Sequence, residues 1–186
     1  MYDSTKDTLQ HIITVQRNML LVTQHLATRA ITHDQSKLRE PEKSILDKYT
    51  PILSNLQYGS DDYMENLKHM KPMTDHHYKT NDHHPEHHNN GVEDMSMLML
   101  LEMLCDWRAA SMRHNDGRFE DSFKFNMKRF RVDYSVARIL FITSLELGFT
   151  SDAKLLEETV RFMRSFGYWE DVPEKKRSVS QNPAAY

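Results

Sequence analysis

The sequence predicts an all-α fold, a bundle of about six to seven helices, and three observations carry that expectation. Glycine and proline are scarce, five and six in 186 residues, while methionine is abundant at twelve. Few breakers and many unbranched side chains favour helices over sheets. Apolar residues recur at helical spacing in one segment after another, and no stretch alternates as a strand would.

Ser4 with Asp7 marks a helix start close to a capping box. Leu9, Ile13, Leu20 and Ala27 then form one stripe, widened by Ile12, Met19 and Leu26, so the first helix is expected to run to about Arg29. Residues 32–37 follow as a turn or a short helix start. Pro41 suits the first turn of a second helix with Glu42 at its positive end, and Pro51 should break or kink it. Asp61 or Asp62 can cap a short helix through Met70. Residues 71–91 read as a polar connection interrupted by Pro72 and Pro85, and one this long is usually functional or disordered. A helix over 93–114 follows, with Met95, Leu98, Met99, Glu102, Asp106 and Ala109 on one face. Leu101, Leu104 and Cys105 thicken that face, and Met97 extends it. Asp116-Gly117 is a turn signal. Amphipathic helices are predicted over 119–131, 134–147 and 151–166, with Gly148 and Gly167 as carboxyl-terminal caps. The length suits one domain over 1–170, and the polar tail at 171–186 has little to bury and should be mobile.

Twenty-four basic against twenty-seven acidic residues leave a net charge of −3, so no general nucleic-acid footprint is expected. Cys105 is the only cysteine, which excludes an intramolecular disulfide framework and suits a reducing cytosol. No signal peptide and no run of 18 apolar residues is visible, so a cytoplasmic protein without a membrane span is expected. The amphipathic carboxyl-terminal helices are compatible with a homodimer, although core packing explains them equally well.

Histidine chemistry stands out. Six of the eleven histidines crowd into residues 76–88. His33-Asp34 is a second point of interest, although one such pair carries little information in so histidine-rich a chain. His11 lies at the edge of the first helix's apolar arc, beside Val15 and Val22, and can point inward; its ordinary alternative is a boundary histidine. Asp106 sits on an apolar helix one turn after Glu102, where a carboxylate is costly unless paired or bound to a metal. The run from Asn81 through His83, His84, Pro85, Glu86, His87 and His88 to Gly91 offers imidazoles for zinc, iron, manganese, cobalt or nickel, and carboxylates that harden a site toward manganese or magnesium. Its ordinary alternative is a solvated loop with adventitious metal affinity.

The order His11, His33-Asp34, a His-His cluster and Asp106 resembles the HD phosphohydrolase superfamily, whose pattern is H…HD…D. His11-x-x-x-Val15 looks like that superfamily's first helix. His33-Asp34-x-x-Lys37 is similar to the HD-x-G-K variant of its HD-GYP branch, with Ser36 in the glycine place. His83-His84-Pro85-Glu86 through Asn90-Gly91 is similar to that branch's HHE…DG segment, while the glycine-tyrosine-proline signature is missing. A nearer resemblance, over about His11 to Arg131, is to a family of unknown function from bacteriophage and bacterial genomes. It carries HD-x-SK, N-x-HHPEH and E-M-x-C-D-W motifs, here at 33–37, 81–87 and 102–107.

The superfamily resemblance implies an HD-like helical domain holding one or two divalent metal ions. It implies His11, His33, Asp34 and Asp106 as ligands, with His83 and His84 as the further set and His87 as an optional addition to it; His76, His77 and His88 come after them. Lys37 would hold a substrate phosphate as a point charge, and Glu86 would orient a ligand histidine or act in proton transfer. Arg29, Arg108 and Lys128, with Lys124 and Arg129, are further phosphate contacts to consider, each ordinarily a solvated charge. The implied reaction is hydrolysis of a phosphate ester, a nucleotide or cyclic nucleotide, by metal-activated water, in the host cytoplasm if the gene is a phage's. Two alternatives stay open: an HD-type di-iron oxygenase, and a non-catalytic metal-dependent nucleotide-binding protein. A purely structural helical protein is a third.

Overall fold

The computed structural model describes residues 2–57, 60–113, 117–152, 154 and 158, and the described residues form seven α-helices and three 3-10 turns with no strand. The chain divides into two compact units, residues 1–35 and the remainder from Ser36.

The first unit is one helix, α1 (Thr5–Thr32), three residues longer than the apolar stripe alone requires. The anticipated capping box does not form: Ser4 has helical backbone angles and its side chain caps nothing. Instead the Thr5 amide donates to Asp3 Oδ1 at 3.0 Å. Thr14, Thr23, Thr28 and Thr32 bond their hydroxyls back to carbonyls one turn earlier, which quiets their competition with the helix. None of the α1 residues is buried. The helix stops at His33, whose backbone turns to ψ 126°, and Asp34 then takes a positive φ of 55°.

The second unit has two hydrophobic clusters. One belongs to α2 (Glu42–Ser54), α3 (Asp61–His69) and α4 (Lys71–Thr80), and is built from Leu53, Tyr63, Leu67, Met70 and Met73. Pro51 does not break α2. It falls in the last turn, and its carbonyl, one of those left without a helical partner, accepts from the Ser54 hydroxyl at 3.0 Å and the Asn55 side-chain amide at 2.8 Å. Ser60, rather than Asp61 or Asp62, caps α3 by accepting from the Tyr63 amide; the two aspartates supply negative charge in the first turn. The polar connection expected over 71–91 is half helix. Pro72 stands in the first turn of α4, where proline is tolerated, and Met73 and His77, one turn apart, face inward.

The other cluster belongs to α5 (Met97–Ser111), α6 (Phe119–Arg129) and α7 (Tyr134–Glu146). Phe119, Phe123, Phe141, Met103, Leu104 and Leu140 are among its most deeply buried members. Ser96 caps α5, so that helix starts later than the expected residue 93, and residues 91–94 form a 3-10 turn. Its inward face is also rotated from the expected one. Leu100, Met103, Leu104, Trp107 and Ser111 are buried, Cys105 is exposed, and Glu102 and Asp106 lie half-buried at the boundary. A helix apolar nearly all round has no pattern to fix its face. Gly148 closes α7 at φ +69°, its amide bonded to the Leu145 carbonyl while Phe149 bonds to that of Ser144.

Between the clusters run 3-10 turns Pro85–His87 and Gly91–Asp94, the first packed against α4 and the two packed together. No helix among the described residues is long and apolar enough to cross a membrane. Apart from 151, 152, 154 and 158, the predicted helix over 151–166 lies outside the described residues, as do Asp116, Gly167 and the tail at 171–186.

Candidate metal centre

The centre is built on the short helix α4. His77 is 1% exposed, and three polar groups meet its Nδ1 side. Glu42 Oε2 lies 2.9 Å from Nδ1, Asn81 Nδ2 3.0 Å and Ser36 Oγ 3.4 Å. The Asn81 amide has two hydrogens, and both have other acceptors, the His77 carbonyl at 2.9 Å and Ser36 Oγ at 2.8 Å. An ionised carboxylate only accepts, so the Glu42 contact puts the ring proton on Nδ1. His77 Nε2 therefore carries its lone pair on the opposite side, 2.9 Å from His84 Nε2.

His84 follows the helix by one tight turn, its amide bonded to the Asn81 carbonyl. His83 beside it is 2% exposed and presents Nδ1 to Glu102 Oε1 of α5 at 3.2 Å. One ligand nitrogen from each of His77, His83 and His84 lies within 4.8 Å of the others. Two nitrogens about 2.1 Å from one ion stand roughly 3.0 Å apart at right angles and roughly 3.4 Å apart at the tetrahedral angle. The His77–His84 separation of 2.9 Å is near the right-angle spacing, and the donor set of imidazoles with nearby carboxylates suits a transition metal.

Glu42 is fully buried and reaches a second histidine, its Oε1 lying 2.7 Å from His76 Nδ1. Glu86 is held on the Pro85–His87 turn by Arg129 of α6, whose Nη2 donates to Oε1 at 2.8 Å. Oε2 of Glu86 is buried with no hydrogen-bond partner among the described residues. Burial raises the Glu86 carboxyl above its usual range, against the pull of Arg129. Arg129 itself lies over the Phe130 ring at 4.8 Å, so this guanidinium is engaged within the fold.

The other sequence candidates are distributed as follows. His33 and Asp34 close the first unit, with His33 Nε2 3.5 Å from an Asp34 carboxylate oxygen. His11 is exposed on α1, and Arg29 is half-buried in that helix's last turn. Asp106 is half-buried on α5, one turn beyond Glu102. Lys37 and Arg108 are half-buried and Lys128 is exposed. His87 is exposed and donates from Nδ1 to the Tyr78 carbonyl at 3.0 Å, and His88 donates from Nε2 to the Asp82 carbonyl at 2.8 Å. Both pin the loop backbone, and neither belongs with the histidine trio. Sequence reasoning ranked His77 behind its neighbours, took Glu42 for a helix-dipole residue and gave Glu102 only a place on an apolar face. No local motif marks these three; a helical reading of 71–80 would have aligned His77 with Met73 and found the first.

No curated protein and no solved structure matches the chain. A family model described as "Family of unknown function (DUF5662)" matches residues 1–154, and the chain belongs to that family.

Proposed function

We propose that this member of the DUF5662 family is a metal-dependent hydrolase of phosphate esters, acting on a nucleotide or cyclic nucleotide. The observation that carries the proposal is the convergence of His77, His83 and His84, with one nitrogen lone pair already directed at a neighbouring imidazole. The HD resemblance adds His33, Asp34 and Asp106 to the ligand set. When bound, a divalent ion acidifies water and neutralises charge on a phosphoryl group.

The chain's own residues have distinct parts in this proposal. His77, His83 and His84 hold the ion, and Glu102 orients His83 through Nδ1. Lys37 offers a point charge to phosphate. Glu86, tied to Arg129, holds the turn that follows His84.

The test is metal content followed by catalysis. Protein purified without added metal is assayed for bound transition metals, then given manganese, iron or cobalt and screened against nucleotides and cyclic nucleotides for hydrolysis. Wild type is expected to hold metal and release product, and His84→Ala and Asp34→Ala to lose at least 100-fold in rate, about 2.7 kcal/mol of transition-state stabilisation. Wild type holding no more metal than His84→Ala and hydrolysing none of these esters would overturn the proposal.

A further inference from the structure

We infer that Glu42 is a positioning residue which fixes His77 as an Nε2 ligand by holding its proton on Nδ1; the inference rests on the metal-site proposal above. A histidine aimed at an ion by chance has two tautomers, and only one of them offers a lone pair on the nitrogen that faces the site. Here the choice is made from behind. The carboxylate of Glu42 is 0% exposed, so water does not compete for its oxygens. Its two oxygens are divided between two rings, Oε1 on His76 at 2.7 Å and Oε2 on His77 at 2.9 Å. The His76 contact stops the carboxylate from rotating, which leaves Oε2 fixed in front of His77 Nδ1. Asn81 supports the same arrangement, since its hydrogens are spent on the His77 carbonyl and on Ser36 Oγ.

The other side of the ring fits the same reading. His77 Nε2 faces His84 Nε2 at 2.9 Å, a separation that two bare lone pairs do not tolerate without a proton or a cation between them. A cation there meets that demand. Glu42, His77 and the ion would then form a carboxylate–histidine–metal relay, with Glu42 raising the basicity of the ligand nitrogen.

The test compares wild type, Glu42→Gln and Glu42→Asp by cobalt(II) titration and by nitrogen-15 NMR of the histidine rings without metal. Glutamine keeps the shape but offers an N–H, so His77 can be met by a donor at Nδ1 and carry its proton on Nε2. The expected result is Nδ1–H on His77 in wild type, a shift toward Nε2–H in Glu42→Gln and roughly 10–100-fold weaker cobalt binding there. Glu42→Asp, still an acceptor, is expected to keep the Nδ1–H tautomer and lose less affinity. Wild type that binds cobalt, with Glu42→Gln binding equally well and His77 unchanged in tautomer, overturns the role of Glu42 and leaves the metal site standing. Wild type that binds no cobalt overturns the metal site, and the metal-free ring spectra then judge Glu42 separately. If Glu42→Gln does not fold, Glu42→Asp decides: the Nδ1–H tautomer with weakened binding supports the inference, and the Nε2–H tautomer with wild-type binding overturns it.

Discussion

Arg131 carries a φ of 49° immediately after α6. It occupies the position where a helix turns left-handed, with its amide directed at the Lys128 carbonyl and the next amide, Val132, bonded to that of Met127. An L side chain pays roughly 1–2 kcal/mol for that conformation, and glycine does not. Arg131 is exposed, so little packing offsets the cost. Arg131→Gly should therefore stabilise the protein by about 0.5–1 kcal/mol after allowing for glycine's extra freedom when unfolded, measured by urea denaturation. A lower midpoint would mean that the arginine side chain outweighs its backbone strain. Residue-scale features of this kind are hard to read in a sequence because they depend on where a helix stops. Glu42 shows the same difficulty. Its position after Pro41 announces a helix start, but its partners lie 34 and 35 residues away and no spacing rule connects them.

At the scale of elements, α6 and α7 were located within one or two residues, α6 because its apolar and polar faces are distinct and α7 because Gly148 marks its end. Two others were obscured for opposite reasons. α4 is so polar that only Met73 and His77 enter its buried face, and Pro72 within it and Pro85 just beyond make the stretch look like a loop. α5 is so apolar that its buried face could not be singled out. The start of α6 also carries a pH-dependent contribution. Burial pushes the Glu120 carboxyl upward, but the Thr150 hydroxyl, the Glu120 backbone amide and Arg118 together hold it below the usual carboxylate range. A depressed folded value means stability that is fully present above the unfolded value near 4.5 and lost as pH falls through the folded value. Glu120→Gln should cost about 0.5–1 kcal/mol at pH 7, and the difference from wild type should shrink as pH drops below 4.5. A gap that stays constant down to pH 3 would assign the loss to packing instead.

At the scale of the molecule, the all-helical class was legible from the scarcity of breakers and the helical spacing, while the division of the second unit into two clusters was not. Both clusters are made of the same residue types, and only the partner helices separate them. The histidine-bearing segment lies between. His77 comes from the α4 side, and His83 reaches Glu102 on the α5 side. Glu86 then ties the same segment to α6 through Arg129, and Arg129 lies over Phe130, whose ring stacks on Trp107 at 6.1 Å. That chain of contacts makes Trp107 an optical witness to events at the histidines. With Trp169→Phe removing the only other indole, cobalt or manganese added to the protein should alter Trp107 emission, and Arg129→Met should mute the signal even if the ion still binds. Emission indifferent to metal in a protein that demonstrably captures it would show that the turn yields without disturbing the aromatic stack.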